Sequence, residues 1–536
     1  KISFTEGEQR MSKKIIAWCM SIVFMMGFFT ACKKMEPGLS ANGSGKNYGD
    51  TGGISLPITD KNLTLSVLVQ NDFPETNKTF AVQELQQRTG ITIKTTEVPV
   101  ANIREKAKLL ISSGQIPDIM AGESLSLIDI NRLGVQGAFA PLNKYIDQMP
   151  NFKKNFVDNP QNSWVFKSLV AEDDNLYYYP KFESERKVNH GFLYRKDIFD
   201  KHGIPEWKST EEFYQALKKL KELYPNSKPY VSKNKMNIFR DWGYGWGINA
   251  PLPYYNEETQ IWKLSTTQQE YKDMLDFMKK LINEGLMDLE ILTDTQASWT
   301  GKITQKDKAF VTFDWIGRLD MFYEQVKAQI PEYDLRYASP IGPVRKGMSL
   351  SNVGLNGFGI LVANNNNSQT SLKLVDYLSS PSGTELMTMG IEGVTYKKDE
   401  SGKIKYPEFP EDKKIGIDDL AKTYGMFIPG LYTRMDKRSV YFDLSKKEQE
   451  AQDKMVNNNL LQPMDPLPAF KEDELKIINE YQQKLETAAS DFSTKYILDK
   501  SYGEAQWNEW LVLAKSLGED KLIEVYNQAQ KRYNGN

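Results

Sequence analysis

The sequence predicts an α/β fold, and three observations carry the prediction. From Leu63 to Met120, apolar strands alternate with helices that end at glycine. Amphipathic helices recur over 209–224 and 267–284, and the chain reads as helix from Glu472 to Tyr533. Strands separated by helices of this size build βαβ units, with a parallel sheet covered on both faces.

Taken in order, Leu63–Val69 shows the alternating apolar pattern of a strand. A helix over 78–88, closed by Gly90, precedes a strand over 91–98. A second helix over 102–113 ends before Gly114, and Ile116–Met120 reads as a short buried strand. Gly191–Arg195 is the next strand, after Tyr177-Tyr178-Tyr179-Pro180. Ser209 caps the following helix with Glu212 as capping-box partner, and Phe213, Leu217, Leu220 and Tyr224 share one face. Pro225 stops it. A helix over 267–284 stops at Gly285, and another starts at Ser371 after the Asn364–Asn367 turn. In the tail, Leu475, Ile478, Tyr481 and Leu485 form one stripe, and no internal repeat is visible.

Upstream, Lys13 and Lys14 precede an apolar run that breaks at Thr30-Ala31-Cys32. The run is short of the roughly 20 residues a spanning helix needs, and its layout is that of an export signal. Met11 is the expected start, which leaves residues 1–10 outside the native protein. Phe29-Thr30-Ala31-Cys32 resembles a bacterial lipobox, with Phe29 where leucine is usual, and this implies lipidation of Cys32. A plain secretory signal or a retained anchor are the alternatives, and all three place the body outside the cytoplasm. Residues 33–60 are rich in Gly, Ser and Asn and predict a flexible tether. Both cysteines, Cys19 and Cys32, precede the body, which therefore has no thiol for a disulfide, a zinc site or a nucleophile.

The 536 residues suffice for two or more domains. With 68 basic and 70 acidic residues, nothing suggests a nucleic-acid partner. Two histidines, His190 and His202, weaken any imidazole mechanism. The 27 tyrosines and 10 tryptophans exceed what a core alone usually requires, and their faces suit sugar rings.

Several segments together resemble the family 1 extracellular solute-binding proteins of ABC importers. They are Gly114–Ile119, Leu176–Pro180, Tyr194–Asp197, Ala309–Trp315, Gly357–Ile360, Gly390–Tyr396, and the helical tail with Trp507 and Trp510. The nearest branch is the long lipoproteins that bind alginate and other oligosaccharides. The resemblance implies a two-lobed, periplasmic-binding-protein-like (Venus-flytrap) fold with ligand in the interlobe cleft. It implies lobe 1 from 61–181 and 340–395, and lobe 2 from 182–339 and 396–536. It also implies a carbohydrate ligand, a separate permease and ATPase, a lipid-anchored monomer at the outer face of the membrane, and no enzymatic turnover. The alginate-binding branch holds calcium in an acidic loop at Glu222–Tyr230. Here that loop has no carboxylate after Glu222, so no calcium site and no cofactor are expected.

The expected ligand-binding residues come from several segments. Trp242, Tyr244 and Trp246 alternate with glycines, as a sugar-stacking loop would, or as a buried aromatic turn would. Asp314, Trp315 and Arg318 follow a buried strand, where Asp314 could instead cap a helix. Glu123 and Ser124 end a strand at the position where open α/β sheets bind ligands. Trp299, Tyr396 and Tyr424 complete the set, and Arg186 and Arg240 could pair with a uronic acid carboxylate. The rival classes are a peptide-binding lipoprotein and a surface polysaccharide hydrolase. The hydrolase would need a carboxylate pair across a cleft, and no nucleophile elbow, zinc helix or phosphate loop is present.

Overall fold

Leu65, Val67, Leu68 and Val69 are all buried in Leu63–Gln70 (β1), so apolar contacts cover both faces of this strand. In the computed structural model, which describes residues 46–535 except positions 356 and 412, β1 founds the sheet of the first lobe. The leader, Cys32 and the first part of the expected tether lie outside the described residues. Phe80–Thr89 (α1) closes on Gly90 at φ 72° and delivers Ile91–Val98 (β2), parallel to β1 with Leu63 opposite Ile91. Ile103–Ser112 (α2) leads to Ile119–Ala121 (β3), parallel to β1 on its other side. Leu127–Val135 (α3), capped by Ser126, follows at once. Tyr179–Pro180 (β4) ends the first passage through the lobe.

The second lobe is built on His190–Arg195 (β5), Thr210–Leu223 (α4), Gln269–Asn283 (α5), Val311–Trp315 (β6) and Leu335–Tyr337 (β7). Its sheet is antiparallel, with β5 in the centre, His190 opposite Trp315 and Leu193 opposite Tyr337. Among the described residues, parallel pairing between strands occurs in the first lobe, and the second has only isolated parallel bridges, such as Tyr230 to Val311. At α4, Ser209 Oγ accepts the Glu212 N–H at 3.1 Å. The Glu212 carboxylate accepts from Lys208 N at 2.6 Å, one residue upstream of the N–H a capping box uses. The turn after α4 is closed by Lys221 Nζ donating to the Ser227 carbonyl at 2.7 Å.

The chain then returns to the first lobe. Gly359–Val362 (β8) inserts antiparallel between β3 and β4, with Leu361 opposite Met120 and Ile360 opposite Tyr179. Ser368–Ser379 (α6) and Pro381–Thr388 (α7) cover the sheet. Asp118 stitches these parts together, accepting from Ser66 N and Oγ at 2.8 Å each, Asn365 at 2.9 Å and Asn367 at 3.0 Å. The tail, Glu472–Leu498 (α8), Glu504–Ser516 (α9) and Glu519–Tyr533 (α10), packs on the second lobe through Leu485, Phe492, Trp507, Trp510 and Leu522.

Two expected boundaries are corrected. Residues 396–442 were expected in the second lobe, yet Tyr396, Leu420, Tyr424, Ile428 and Leu431 are buried in the core of the first. The cause is local: Gly390 at φ 97° and the Thr395 N to Ile391 O bond make Gly390–Tyr396 a tight turn that folds back onto α7. Ile341 belongs to the core of the second lobe, and Gly347 bridges Leu461. The chain therefore crosses at 182–189, 347–353 and near 443–446. The second correction concerns the tether, whose later part is docked. Ser382 donates from Oγ to the Tyr48 carbonyl at 2.5 Å and from N to the Asp50 carbonyl at 2.9 Å, Ile54 is buried, and Ile58 N donates to Thr89 O at 2.9 Å. These backbone bonds and the buried Ile54 outweigh the glycine-rich composition around them.

In the second lobe, Lys302 Nζ stands among three carboxylates, 2.8 Å from Asp288, 2.5 Å from Glu290 and 2.7 Å from Asp294. Among the described residues no helix is long and apolar enough to cross a membrane.

Candidate functional site

The carboxyl ends of β1 and β3, where a parallel sheet opens a crevice, face the crossing segments. Here Glu123 Oε1 accepts from Lys181 Nζ at 2.5 Å, and the same ammonium donates to Tyr432 Oη at 3.1 Å. Burial alone would push the Lys181 ammonium down, but Tyr432 and Glu123 hold it above its ordinary value. Glu123 Oε2 and Ser124 Oγ are buried without a partner. Buried polar atoms without partners need one, which a ligand or an ordered water can supply.

The crossing segments lie side by side. Phe182 N donates to Thr433 O at 2.7 Å, and Glu183 N donates to Asn352 O at 2.9 Å. Lys437 Nζ donates to the Glu183 carbonyl at 3.0 Å, and Gln452 bonds both backbone groups of Val188. Arg186 is spent in this hinge, donating to the Tyr441 carbonyl at 2.9 Å and lying 3.5 Å from Glu448.

The second wall forms where β5 leaves the hinge and antiparallel β6 ends beside it. Asp314 accepts from Trp315 N at 2.7 Å, pairs with Lys233 at 2.6 Å, and lies 3.4 Å from Arg318. Lys233 and Arg318 stand 4.8 and 5.5 Å from the Trp299 ring centroid, in cation–π geometry. Trp299 itself is fully buried beneath them, its Nε1 donating to Thr312 Oγ1 at 2.8 Å. The half-buried Trp315 ring rests on the backbone of Gly317, where a Cβ would fall 2.4 Å from its Cη2. Asp241 accepts from Asn234 at 2.7 Å, with Arg240 3.6 Å away, and burial pushes its carboxyl up to about 6. Burial pushes the His190 imidazole down, Asp314 opposes this, and Lys233, Arg240 and Arg318 add to the lowering.

Between the lobes, α3 and the segment leading into α8 enclose a groove of about 200 Å³ lined by Leu127, Ile128, Val135, Val170, Pro468 and Phe470. Asn131 Oδ1 and Ser168 Oγ are buried beside it without partners. The lobes also meet where Lys167 Nζ stands 5.7 Å from the Tyr533 ring centroid.

The structure brings Asp314, Trp315, Arg318 and Trp299 together, and sets Glu123 and Ser124 on the opposite lobe. Tyr244 is half-buried, and its phenol feels Arg240, Asp241 and Asp465. Four expected ligand contacts are packed elsewhere. Trp242 and Trp246 lie in the core of the second lobe, and Tyr396 and Tyr424 pack around Tyr406 in the first. Lys181, Lys233 and the α3 groove were not anticipated. Lys181 directly follows the Tyr179-Pro180 segment, and Ile128 and Val135 lie on an exposed apolar face of α3, so both left a readable signal.

Residues 81–411 match the family model for a bacterial extracellular solute-binding protein. The chain is 25% identical over 284 residues to the fructooligosaccharide ABC transporter substrate-binding protein FusA of Streptococcus pneumoniae, covering 49% of this chain and 52% of that protein. It thus spans about half the length of that relative. It is 23% identical over 513 residues to the polygalacturonan/rhamnogalacturonan-binding protein YtcQ of Bacillus subtilis, covering 92% and 96% of the two chains. Among solved structures, the alginate-binding protein AlgQ2 without calcium ion superposes with a TM-score of 0.66 at 21% identity, over 88% of this chain and 99% of that one. An extracellular solute-binding protein from Bifidobacterium longum subsp. infantis gives 0.69 at 16% identity over the same shares. These likenesses are of fold: two α/β lobes joined by crossing segments.

Proposed function

The chain belongs to the bacterial extracellular solute-binding proteins, and from that premise we propose that it captures an oligosaccharide between its lobes and delivers it to an ABC importer. One observation carries the reading: polar walls on two different lobes, Glu123–Ser124 and Asp314–Arg318, joined through a hinge of three crossings. A ligand that touches both walls stabilises the closed arrangement, which a permease recognises. A ligand bound to one wall alone would shift nothing. The carbohydrate names of two relatives favour a glycan over a peptide. The finer parts of the proposal are a lipid on Cys32, a monomeric body at the outer face of the membrane, and a separate permease and ATPase.

The test is thermal unfolding of the mature chain, without lipid, against a panel of oligosaccharides and short peptides. A ligand that binds only the folded form raises the midpoint by mass action, by about 2.7 kcal/mol of stability at a hundredfold excess over Kd. A selective rise with one glycan class is expected. Rises with peptides alone would move the chain to a peptide importer, and released product would reopen the enzyme reading.

A further inference from the structure

We propose that the second-lobe wall formed by Lys233, Arg240 and Arg318 receives a ligand carboxylate, so that the cargo is an oligosaccharide bearing uronic acids. The inference rests on the binding reading above and narrows its ligand.

The argument is one of charge and unfilled hydrogen bonds. In the first-lobe wall the charges cancel, Lys181 against Glu123 at 2.5 Å. In the second, Lys233 and Arg318 share Asp314, and Arg240 stands beside Asp241, so three cations meet two carboxylates. Asp314 is committed to Lys233 and to Trp315 N, leaving Arg318 a long 3.4 Å contact and weak partners in Gln296 and Met321. Asp241 accepts from Asn234, and Arg240 approaches it no closer than 3.6 Å. Arg240 Nε is buried with no partner, while its side chain is 41% exposed. A guanidinium in that state lacks the planar, two-oxygen acceptor its fork is shaped for.

The occupant must also use what lies beside the cations. The half-buried Trp315 ring lies close against Gly317, and its exposed part can serve as a surface for a sugar ring. A carboxylate attached to a pyranose ring meets both features. A peptide carboxylate meets the first alone.

Titration calorimetry of the whole mature chain decides it, with oligogalacturonates and oligomannuronates, their methyl esters, neutral fructo- and malto-oligosaccharides, and acidic peptides. One acid series is expected to bind about tenfold or more tighter than its own methyl ester. Arg240→Gln should erase most of that difference at an unchanged melting midpoint, leaving ester affinity alone, and Arg240→Lys should restore part of it. Neutral glycans binding as well as acids would overturn the inference and leave the importer reading standing. A preference for acids that survives in Arg240→Gln and in the Arg240→Gln/Arg318→Gln pair would overturn the assigned site. Binding of peptides alone would overturn both readings.

Discussion

Trp242 lies edge-on to Phe192, Phe213 and Tyr230, and its Nε1 donates to the Tyr230 hydroxyl at 2.9 Å. Trp315, one strand away, has neither this enclosure nor a second ring packed on it. Alanine at the two positions should therefore separate stability from binding. Trp242→Ala removes a fully enclosed indole and should cost about 3–5 kcal/mol, read as a lower urea midpoint. Trp315→Ala should change stability by less than about 1 kcal/mol and abolish most of the ligand-induced rise in melting temperature. The sequence distinguishes these residues poorly. Trp242 precedes Gly243 and Trp315 stands two residues before Gly317, and spacing records that a ring has room without recording what fills it. Trp242 lies on the short helix Ile238–Gly243, whose buried side meets Phe277 of α5, and that meeting is set by a distant segment.

The elements of the first lobe depend on a joint that no single element contains. The Asp118 carboxylate precedes β3, accepts from β1, and holds the Asn365–Asn367 turn before α6. Burial pushes its carboxyl up, but the bonds from Ser66, Asn367 and Asn365 outweigh it and hold it below the usual range. A group depressed in this way stabilises the fold above its unfolded value of about 3.9 and loses that contribution as pH falls through the folded value. Asp118→Asn should thus cost about 2 kcal/mol at pH 7, and the gap to the unaltered protein should shrink in urea unfolding at pH 3. The strands and helices around this joint were legible from period and caps: α1 ends at Gly90 and α4 starts at Ser209 as their residues require. The joint was not. It links residues far apart in the chain, and one aspartate before a strand resembles any other.

At the scale of the whole molecule, the alternation from Leu63 to Met120 was enough to read the first sheet, while the lobe boundaries depended on where the chain turns back. Gly390–Tyr396 has the glycines and aromatics of a crossing, but internal hydrogen bonds make it a turn, and the crossing waits until the neighbourhood of Asp443. The two walls proposed for the cleft include strand ends in both lobes, and residues there, such as Glu123 and Asp314, could be named in advance. The second lobe has one further property with reach beyond its packing. Burial pushes the Lys302 ammonium down, yet Asp288, Asp294 and Glu290 together hold it above its ordinary value. Removing it with Lys302→Gln leaves three carboxylates facing one another and should cost about 2–3 kcal/mol, measured as a lower melting midpoint, while chelators such as EDTA should leave the unaltered protein's midpoint where it is. A counter-ion drawn from the surroundings can be diluted, chelated or outcompeted. One that is written into the chain travels with it, so this part of the lobe keeps its shape in whatever mineral composition surrounds it.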